Sequence, residues 1–213
     1  MRQSQIREVI IIGGGLAGLS AGIYLGRSLR DTILIHSDRS MAKWENDVQN
    51  YLGFPEGIAG ETLVERGRQQ VARYGVEIVQ DEIQSLTKDG EVFNVTGRTK
   101  SYHASRVLVA TGLTHLPPEI AGVRECLGLS LFFCKDCDAY RVQGKRIVII
   151  GHNNEAVEYS LAILLYSTSV VITTHGRPAS WDSMHGHGSK NTNLQFVQKA
   201  LPAWSMMKDI SEL

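Results

Sequence analysis

The chain has 213 residues, 43% of them hydrophobic, and its 22 basic and 22 acidic side chains cancel. This composition is typical of a globular protein, and the balanced charge excludes a broad electrostatic attraction to nucleic acid or an anionic membrane. No apolar run approaches the roughly 20 residues of a membrane span, and the start, "MRQSQIREVIIIGGG", enters a short strand rather than a signal-peptide core. We therefore expect a cytoplasmic protein.

The first predicted element is a nucleotide-binding βαβ unit. "EVIIIGGGLAGLSAGIYLGRS" indicates an apolar strand, a glycine turn and a helix, and "DTILIHSD" supplies the second strand. The turn has the pattern GxGxxG, whose glycines permit a tight turn, the approach of a pyrophosphate and helix–strand contact; they are Gly13, Gly15 and Gly18. A ribose-binding acid should close the second strand. Asp38 is the candidate, because the strand itself ends at His36, which we expect at the surface; a turn-capping role for Asp38 is the alternative.

The segment from Gly60 to Tyr74 predicts a helix that starts at Thr62. Four short strand candidates follow: "GVEIVQ", "EIQSLT", "EVFNVTG" and "TKSYHA". We interpret them as a β-meander inserted before the parallel strand "RVLVATG". "LTHLPPEIAG" contains the only Pro-Pro pair and predicts an interdomain linker. The first domain is therefore expected over residues 1–115.

A second unit, expected over residues 116–180, repeats the order of strand, turn, helix and strand in "GKRIVIIGHNNEAVEYSLAILLYSTSVVITTHGR". Gly151 matches the first glycine, but Asn153 stands at the second position, where its side chain obstructs a pyrophosphate, and Ala156 takes the third. Arg177 is a candidate for the 2′-phosphate of NADPH, although an exposed loop residue is the simpler interpretation. Nucleotide binding and a purely architectural role both stay open here.

Two of the three cysteines, Cys134 and Cys137, form a CxxC pair directly before Asp138. A helix that begins at such a pair lowers the pKa of one thiol and favours disulfide exchange. Asp138 is a candidate proton donor if burial raises its pKa, and otherwise a helix-capping or first-turn residue. A zinc site needs four ligands, and the chain has no second CxxC pair, so we expect no metal. Two inert buried cysteines are the remaining alternative.

The order of these motifs resembles that of the low-molecular-weight thioredoxin reductases. The likeness rests on "GGGLAG", "NYLGFPEGIAGETL", the "ATG" at residues 110–112, CxxCD and the second βαβ unit that follows it, and it spans roughly residues 8–180. It implies an α/β fold of two Rossmann-like (three-layer ββα) nucleotide-binding units, the first interrupted by the β-meander. It also implies FAD contacts, which fall on Gly13, Gly15, Gly18, Asn50, Thr111 and Gly112.

The same resemblance assigns roles to the dithiol. It implies that Cys134 attacks the disulfide of a thioredoxin-like protein or a small disulfide, that Cys137 faces the flavin, and that Asp138 donates the proton. Electrons then pass from FAD through Cys134 and Cys137 to the acceptor, and the family suggests a homodimer. Because Asn153 and "HGRP" replace the family's NADPH-binding features, the chain looks closer to the diflavin-linked disulfide oxidoreductases, in which a second flavin occupies the nicotinamide site. The second nucleotide, FAD or NADPH, stays open.

The tail, residues 181–213, changes character. No further strand is predicted there, and nothing after Trp181 resembles the segment with which the family completes its FAD domain. We therefore expect the C-terminal half of that domain to be absent and flavin affinity to fall. A shift of reading frame near His185 is one hypothesis for the change, which sequencing the gene tests. The leading function is an FAD-dependent disulfide oxidoreductase; the alternatives are an NADPH-dependent thioredoxin reductase and a non-catalytic flavin- or nucleotide-binding module.

Overall fold

The computed structural model of the protein describes residues 5–182 and 195–198. The chain divides into two compact units, with the division between Thr114 and His115. Within the described residues, no helix has the length and apolar character that crossing a bilayer requires. The α/β class predicted from the sequence is confirmed, since each unit combines a sheet with helices.

The first unit is built on one six-stranded sheet in the order β3-β2-β1-β6-β5-β4. Its strands are β1 (Ile6–Ile12), β2 (Thr32–His36), β3 (Glu77–Gln80), β4 (Ile83–Asp89), β5 (Val92–Gly97) and β6 (Ser101–Val109). The pairs β3-β2, β2-β1 and β1-β6 are parallel, and the pairs β6-β5 and β5-β4 are antiparallel. Two helices, α1 (Leu16–Arg27) and α2 (Gly60–Ala72), and a 3₁₀ turn at Met41–Trp44 complete the unit.

Both faces of the central strand β1 are buried, which explains its unbroken apolar run. Ile11 packs in the cluster that contains Leu19 of α1 and Val71 of α2. Ile10 faces the other way and packs in the cluster that contains Val95 of β5. Successive side chains of a strand alternate between the faces of a sheet, so the run of isoleucines supplies two cores.

Three boundaries differ from the sequence-based expectation. "TKSYHA" and "RVLVATG" are one continuous strand, β6, because its first half pairs with β5 while its second half stays paired with β1. "GVEIVQ" does not belong to the meander, since β3 pairs in parallel with β2. The helix α2 begins at Gly60 rather than Thr62, because the backbone of Gly60 packs against the 3₁₀ turn: a Cβ there would lie 1.7 Å from the carbonyl oxygen of Ala42.

A buried carboxylate, Asp81, joins the end of β3 to the turn between β5 and β6. It accepts hydrogen bonds from the Thr99 hydroxyl at 2.7 Å, the Tyr102 hydroxyl at 3.0 Å and the Glu82 amide at 2.8 Å. Burial alone raises the pKa of Asp81, but these hydrogen bonds outweigh burial and lower the pKa to about 2. The ionised carboxylate therefore stabilises the folded state.

The second unit contains a parallel sheet of three strands in the order β7-β8-β9. The strands are β7 (Ile147–Ile150), β8 (Val170–Thr173) and β9 (Gln195–Val197), and the helices are α3 (Lys135–Asp138) and α4 (Asn154–Ile163), with 3₁₀ turns at Arg124–Cys126 and Ala139–Val142. The expectation of no strand after Trp181 is wrong, because β9 pairs in parallel with β8. A three-residue strand is too short to give a clear alternation in sequence. His185, near which the reading-frame hypothesis falls, lies outside the described residues.

We expect Asp81→Asn to destabilise the first unit, because an amide NH₂ cannot accept the hydrogen bonds that the carboxylate accepts. The folded-state pKa of about 2 lies below the unfolded value of about 3.9, so this stabilisation is present above about pH 4 and is lost as the pH falls towards 2. Urea unfolding followed by circular dichroism should show a lower midpoint for the variant at pH 7, and the difference should shrink below pH 4. Asp89→Asn, at the exposed end of β4, is the matched control. An unchanged midpoint for Asp81→Asn at pH 7 contradicts the prediction.

Candidate functional site

The first glycine turn lies between β1 and α1, and two of its glycines are required by backbone packing. Gly13 has a φ of 120°, and a Cβ there would lie 2.1 Å from the carbonyl oxygen of Ala110. A Cβ at Gly18 would lie 1.9 Å from the carbonyl oxygen of Gly13. Neither position tolerates a side chain, because the obstructing atoms belong to the backbone.

Gly15 differs, because the space beside it is open. A Cβ at Gly15 would meet only the Ser40 hydroxyl, at 3.3 Å. Gly15 is the N-cap of α1, and no side chain within residues 5–182 and 195–198 caps this helix. The first amide groups of a helix have no partner inside the helix. Those of α1 therefore face open space at a helix N-terminus, where a phosphate binds favourably.

A cavity of about 680 Å³ opens beside this turn. Its lining includes the glycine turn, the loop after β2, the start of β4 and the residues after β6, among them Gly13, Gly15, Asp38, Thr111 and Gly112. This volume lies within the range of cofactor sites. The third glycine, Gly18, is buried behind the turn, and Asn50 is exposed and lies outside the cavity lining.

Asp38 is held on one carboxylate oxygen only. Lys43 Nζ donates to Oδ1 at 2.8 Å, and Arg68 Nη2 donates to the same oxygen. These hydrogen bonds, from Lys43 first and then from Arg68, lower the pKa of Asp38 to about 2. Asp38 also adopts a φ of 65°, a left-handed conformation that Asp tolerates better than most residues. Among the described residues, no hydrogen bond reaches Oδ2, so this oxygen is available to a ligand in the cavity.

His36 is buried rather than exposed, so its expected position at the surface is wrong. Its side chain packs on the glycine turn, where a Cβ at Gly14 would lie 2.6 Å from the His36 Cβ. Its Nδ1 lies 3.3 Å from Arg68 Nη2. Burial first, and the neighbouring Arg68 second, lower the pKa of His36. The imidazole is therefore neutral at pH 7 and accepts a hydrogen bond from the guanidinium.

The CxxC pair of the second unit forms a disulfide, with Cα atoms 5.2 Å apart. Cys134 is the N-cap of α3, and its sulfur accepts a hydrogen bond from the Cys137 amide at 3.2 Å. Cys134 is half-buried and Cys137 is exposed. The third cysteine, Cys126, is free, and its thiol lies 3.5 Å from the carbonyl oxygen of Gly122. The Cys137 amide is therefore a hydrogen-bond donor placed at the Cys134 sulfur.

Asp138 closes α3 and is 4% exposed. Arg141 Nη1 donates to Oδ1 at 3.3 Å, whereas the buried Oδ2 has no hydrogen-bond partner among the described residues. Burial raises the pKa of Asp138, and the opposing effect of the Arg141 guanidinium is smaller. The guanidinium itself lies 5.1 Å from the centre of the Phe132 ring. A cavity of about 380 Å³, lined by both Cys134 and Asp138, adjoins this cluster.

The second glycine turn differs from the first at the predicted positions. Gly151 follows β7, and a Cβ there would lie 2.6 Å from the Ala156 Cβ. Asn153 is the N-cap of α4, and its Oδ1 accepts a hydrogen bond from the Ala156 amide at 3.2 Å. Arg177 is exposed, as the simpler interpretation held, and its Nη1 lies 3.5 Å from His152 Nε2.

Several residues of these clusters carry no motif and were missed from the sequence. They are Lys43, Arg68 and Arg141. The fold brings Lys43 and Arg68 from separate elements to Asp38, and Arg141 contacts Asp138 from the turn that follows α3. The part of the chain that the structure describes contains no group of three or more His, Cys, Asp or Glu residues suited to a metal ion.

We expect Asp138→Asn to raise the melting temperature at pH 7, because it removes the cost of a buried charge. A carboxyl group whose folded-state pKa is raised supports stability below its unfolded pKa of about 3.9, and this support is lost as the pH rises through the folded value. The gain of the variant should therefore disappear below about pH 4. Thermal unfolding of the oxidised protein at several pH values measures the difference in melting temperature between the variant and the wild type. The exposed neighbour Asp136→Asn serves as the control, and a lower melting temperature for Asp138→Asn at pH 7 contradicts the prediction.

Comparison with known proteins places this geometry in a family. Residues 7–186 match the pyridine nucleotide-disulphide oxidoreductase family. The thioredoxin reductases of Rickettsia felis and Treponema pallidum are each 34% identical to the chain, over 78% and 80% of its length and 54% and 56% of their own. The crystal structure of thioredoxin reductase from Streptococcus pyogenes superposes with a TM-score of 0.85 at 20% identity, over 92% of this chain and 64% of that one.

These matches confirm the resemblance that the motifs indicated. The superposition shows a shared fold, and the family match over residues 7–186 includes both glycine turns and the cysteine pair. The chain spans about half the length of the relatives that it matches. The chain belongs to the pyridine nucleotide-disulphide oxidoreductase family, with thioredoxin reductases among its relatives.

Proposed function

We propose that the protein is an FAD-dependent disulfide oxidoreductase that passes electrons through Cys134 and Cys137 to a thioredoxin-like protein disulfide or a small disulfide. The observation that carries the proposal is the disulfide at the start of α3, followed directly by a buried carboxyl group, Asp138, whose pKa is raised. A disulfide kept only for stability has no need of a buried acid, which costs folding free energy. The family match supports the same chemistry.

The first unit fits the adenosine diphosphate part of FAD, the cofactor of the related thioredoxin reductases. The open N-terminus of α1 at Gly15 suits the pyrophosphate, and Asp38 Oδ2 can accept a ribose hydroxyl at the end of β2. Thr111 and Gly112 line the same cavity, whereas Asn50 does not. When bound, FAD supplies the two electrons that reduce a disulfide.

The dithiol then works by exchange. The Cys134 thiolate, held by the Cys137 amide, attacks one sulfur of the acceptor disulfide and releases the other as a thiolate. Cys137 next attacks the Cys134 sulfur of the mixed disulfide, which restores the Cys134–Cys137 bond and releases the second acceptor thiol. Two electrons leave the dithiol and reduce the acceptor to two thiols. In the oxidised chain, which the structure shows, Cys134 is half-buried and Cys137 is exposed.

Asp138 is suited to proton transfer in this exchange. Burial raises its pKa and so favours the protonated carboxyl group, and Oδ2 has no competing partner in the described part of the chain. Arg141 holds the other oxygen and fixes the orientation of the group. We assign to Asp138 the delivery of the proton to a departing thiolate.

The identity of the electron donor, the homodimer and the cytoplasmic location stay predictions of the sequence. Because the chain spans about half the length of its relatives, retention of FAD is itself part of the proposal. If the protein binds a nucleotide but its disulfide never exchanges electrons with it, the alternative of a non-catalytic binding module applies.

A count of thiols tests the proposal directly. The oxidised chain should show one free thiol, Cys126, after denaturation, and three after anaerobic incubation with FAD and dithionite. Omission of FAD should slow the reduction, and the flavin absorbance should change in step with the thiols. Cys126→Ser should keep the gain of two thiols, and Cys134→Ser should abolish it. A colourless protein whose disulfide is reduced at the same rate with and without FAD contradicts the proposal.

We expect Asp138→Asn to slow exchange between the reduced chain and a protein disulfide by about 100-fold, the usual contribution of a general acid. Stopped-flow measurement against oxidised thioredoxin gives the rate, and Asp136→Asn is the matched control. The wild-type rate should depend on pH through the Asp138 carboxyl group, and the variant should lose that dependence. Equal rates for the two variants contradict the proposed role.

The two glycines of the first turn should give opposite phenotypes. Gly15→Ala adds a methyl group to open space, so we expect normal stability but an FAD affinity reduced by about tenfold or more, a loss of about 1.4 kcal/mol. Gly18→Ala forces a clash with the Gly13 carbonyl oxygen and should prevent stable folding. Thermal unfolding and FAD fluorescence titration measure both effects. If Gly15→Ala leaves FAD affinity unchanged, the pyrophosphate does not lie at this turn.

A further inference from the structure

In the second unit, a side chain of the protein itself caps the start of α4. Asn153 Oδ1 accepts a hydrogen bond from the Ala156 amide, and Glu155 adds a negative charge in the first turn. The first unit differs, because no described side chain caps α1 and the first turn of α1 has no acidic residue. The cap and the acidic residue therefore weaken the attraction that the N-terminus of α4 offers to a phosphate, compared with that of α1.

Residues 177–182, which we call the strap, follow β8 and return across this second turn. The Ser180 amide donates to the carbonyl oxygen of His152 at 2.7 Å, and the Ser180 hydroxyl donates to the same oxygen at 2.9 Å. His152 lies directly between Gly151 and Asn153, so these bonds fix the strap over the turn.

Two more hydrogen bonds join the strap to the first residue of α4. The Asp182 amide donates to Asn154 Oδ1 at 2.8 Å, and Asn154 Nδ2 donates to Asp182 Oδ2 at 3.0 Å. The Asp182 carboxylate thus lies next to the helix N-terminus, the location that a phosphate would take. It is a second anion at that location, in addition to Glu155.

The side chain of His152 completes the contact. With the proton on Nδ1, the imidazole donates to the Ser180 hydroxyl at 3.3 Å, while Nε2 accepts from Arg177 at 3.5 Å. Trp181, which lies between Ser180 and Asp182 in the strap, packs against the apolar cluster of β8 and α4. Its ring centre lies 5.2 Å from that of Phe196. Polar and apolar contacts therefore both hold the strap.

We infer that the strap occupies the nucleotide position of the second glycine turn and excludes the pyrophosphate of NADPH and NADH from it. In a Rossmann unit, the dinucleotide crosses the glycine turn with its pyrophosphate at the helix N-terminus. Here Ser180 is bonded to the His152 carbonyl oxygen and Asp182 to the Asn154 side chain, so the strap lies beside the turn and the helix start, where a dinucleotide would cross, and it places a carboxylate there. The strap is thus a specificity-determining element. One consequence rests on the proposed function: electrons reach the flavin from a donor that does not bind at this turn.

Nitrogen-15 NMR of the full chain, titrated with NADPH or NADH, tests the inference. In the wild type, we expect no shift of the Gly151, His152 and Ala156 amide signals at concentrations up to about 1 mM, which places the Kd above that value. The triple variant Asn153→Gly, Ser180→Ala, Asp182→Ala removes the obstructing side chain, the hydroxyl bond of Ser180 and the carboxylate of Asp182, and it leaves the two backbone amide bonds of the strap in place. It should shift these signals, with an affinity for NADPH at least about tenfold higher than that of the wild type. Asp136→Ala in the same unit is the control and should behave as the wild type.

Two results overturn the inference: shifts of these signals in the wild type, or a folded triple variant whose signals do not shift. If the triple variant does not fold, the fallback is Asn153→Gly with Asp182→Asn, which removes the obstructing side chain and the carboxylate charge and should shift the same signals with a weaker affinity. A folded fallback variant whose signals do not shift also overturns the inference. Circular dichroism reports folding. The titration requires neither flavin nor a working dithiol, so its failure is distinguishable from failure of the proposed function.

Discussion

The parallel pairing of β1 with β2 on one side and β6 on the other is the interaction on which the first unit depends. Ile12 pairs with Ile35 of β2 and with Val109 of β6, so all three strands end at the same edge. That register brings the glycine turn beside the loop after β2 and the residues after β6. The contact of Gly13 with the Ala110 carbonyl oxygen and the cavity itself are consequences of this register.

The two βαβ units place the same local structure under different constraints. In each, the first amides of a helix need acceptors from outside the helix. Glycine at the N-cap of α1 leaves them open, whereas at α4 Asn153 supplies an acceptor to the Ala156 amide and the strap places the Asp182 carboxylate beside the helix start. Duplication of a fold therefore does not imply duplication of its ligand, because one side chain and one returning segment decide whether the helix end is free.

Local patterns predicted much of this structure. The glycine turn, the parallel strands and the helix at the CxxC pair follow from residues adjacent in sequence, and the structure has them. The position of His36 was predicted wrongly, because burial depends on α2 and the glycine turn, which pack on it from distant parts of the chain. The continuity of β6 and the pairing of β9 depend on partner strands and were missed for the same reason.

The site was predictable to a smaller extent. The dithiol and Asp138 stand together in the sequence. The two ion pairs of Asp38, by contrast, require Lys43 from the 3₁₀ turn and Arg68 from α2. In the sequence, Asn153 alone indicated that a dinucleotide is obstructed at the second glycine turn. The larger contribution, from Ser180 and Asp182, lies nearly 30 residues further along the chain, where no motif marks it.

The two ion pairs of Asp38 also have a thermodynamic consequence. Because both cations bind Oδ1, the carboxylate is fixed in rotation before any ligand arrives, and little side-chain entropy remains to be lost on binding. Its charge is already paired with Lys43 and Arg68, and a hydroxyl is neutral, so a hydroxyl that meets Oδ2 adds a hydrogen bond without changing the local net charge. Affinity at this end of the cavity should therefore vary little with ionic strength, in contrast to that of a phosphate bound at the N-terminus of α1.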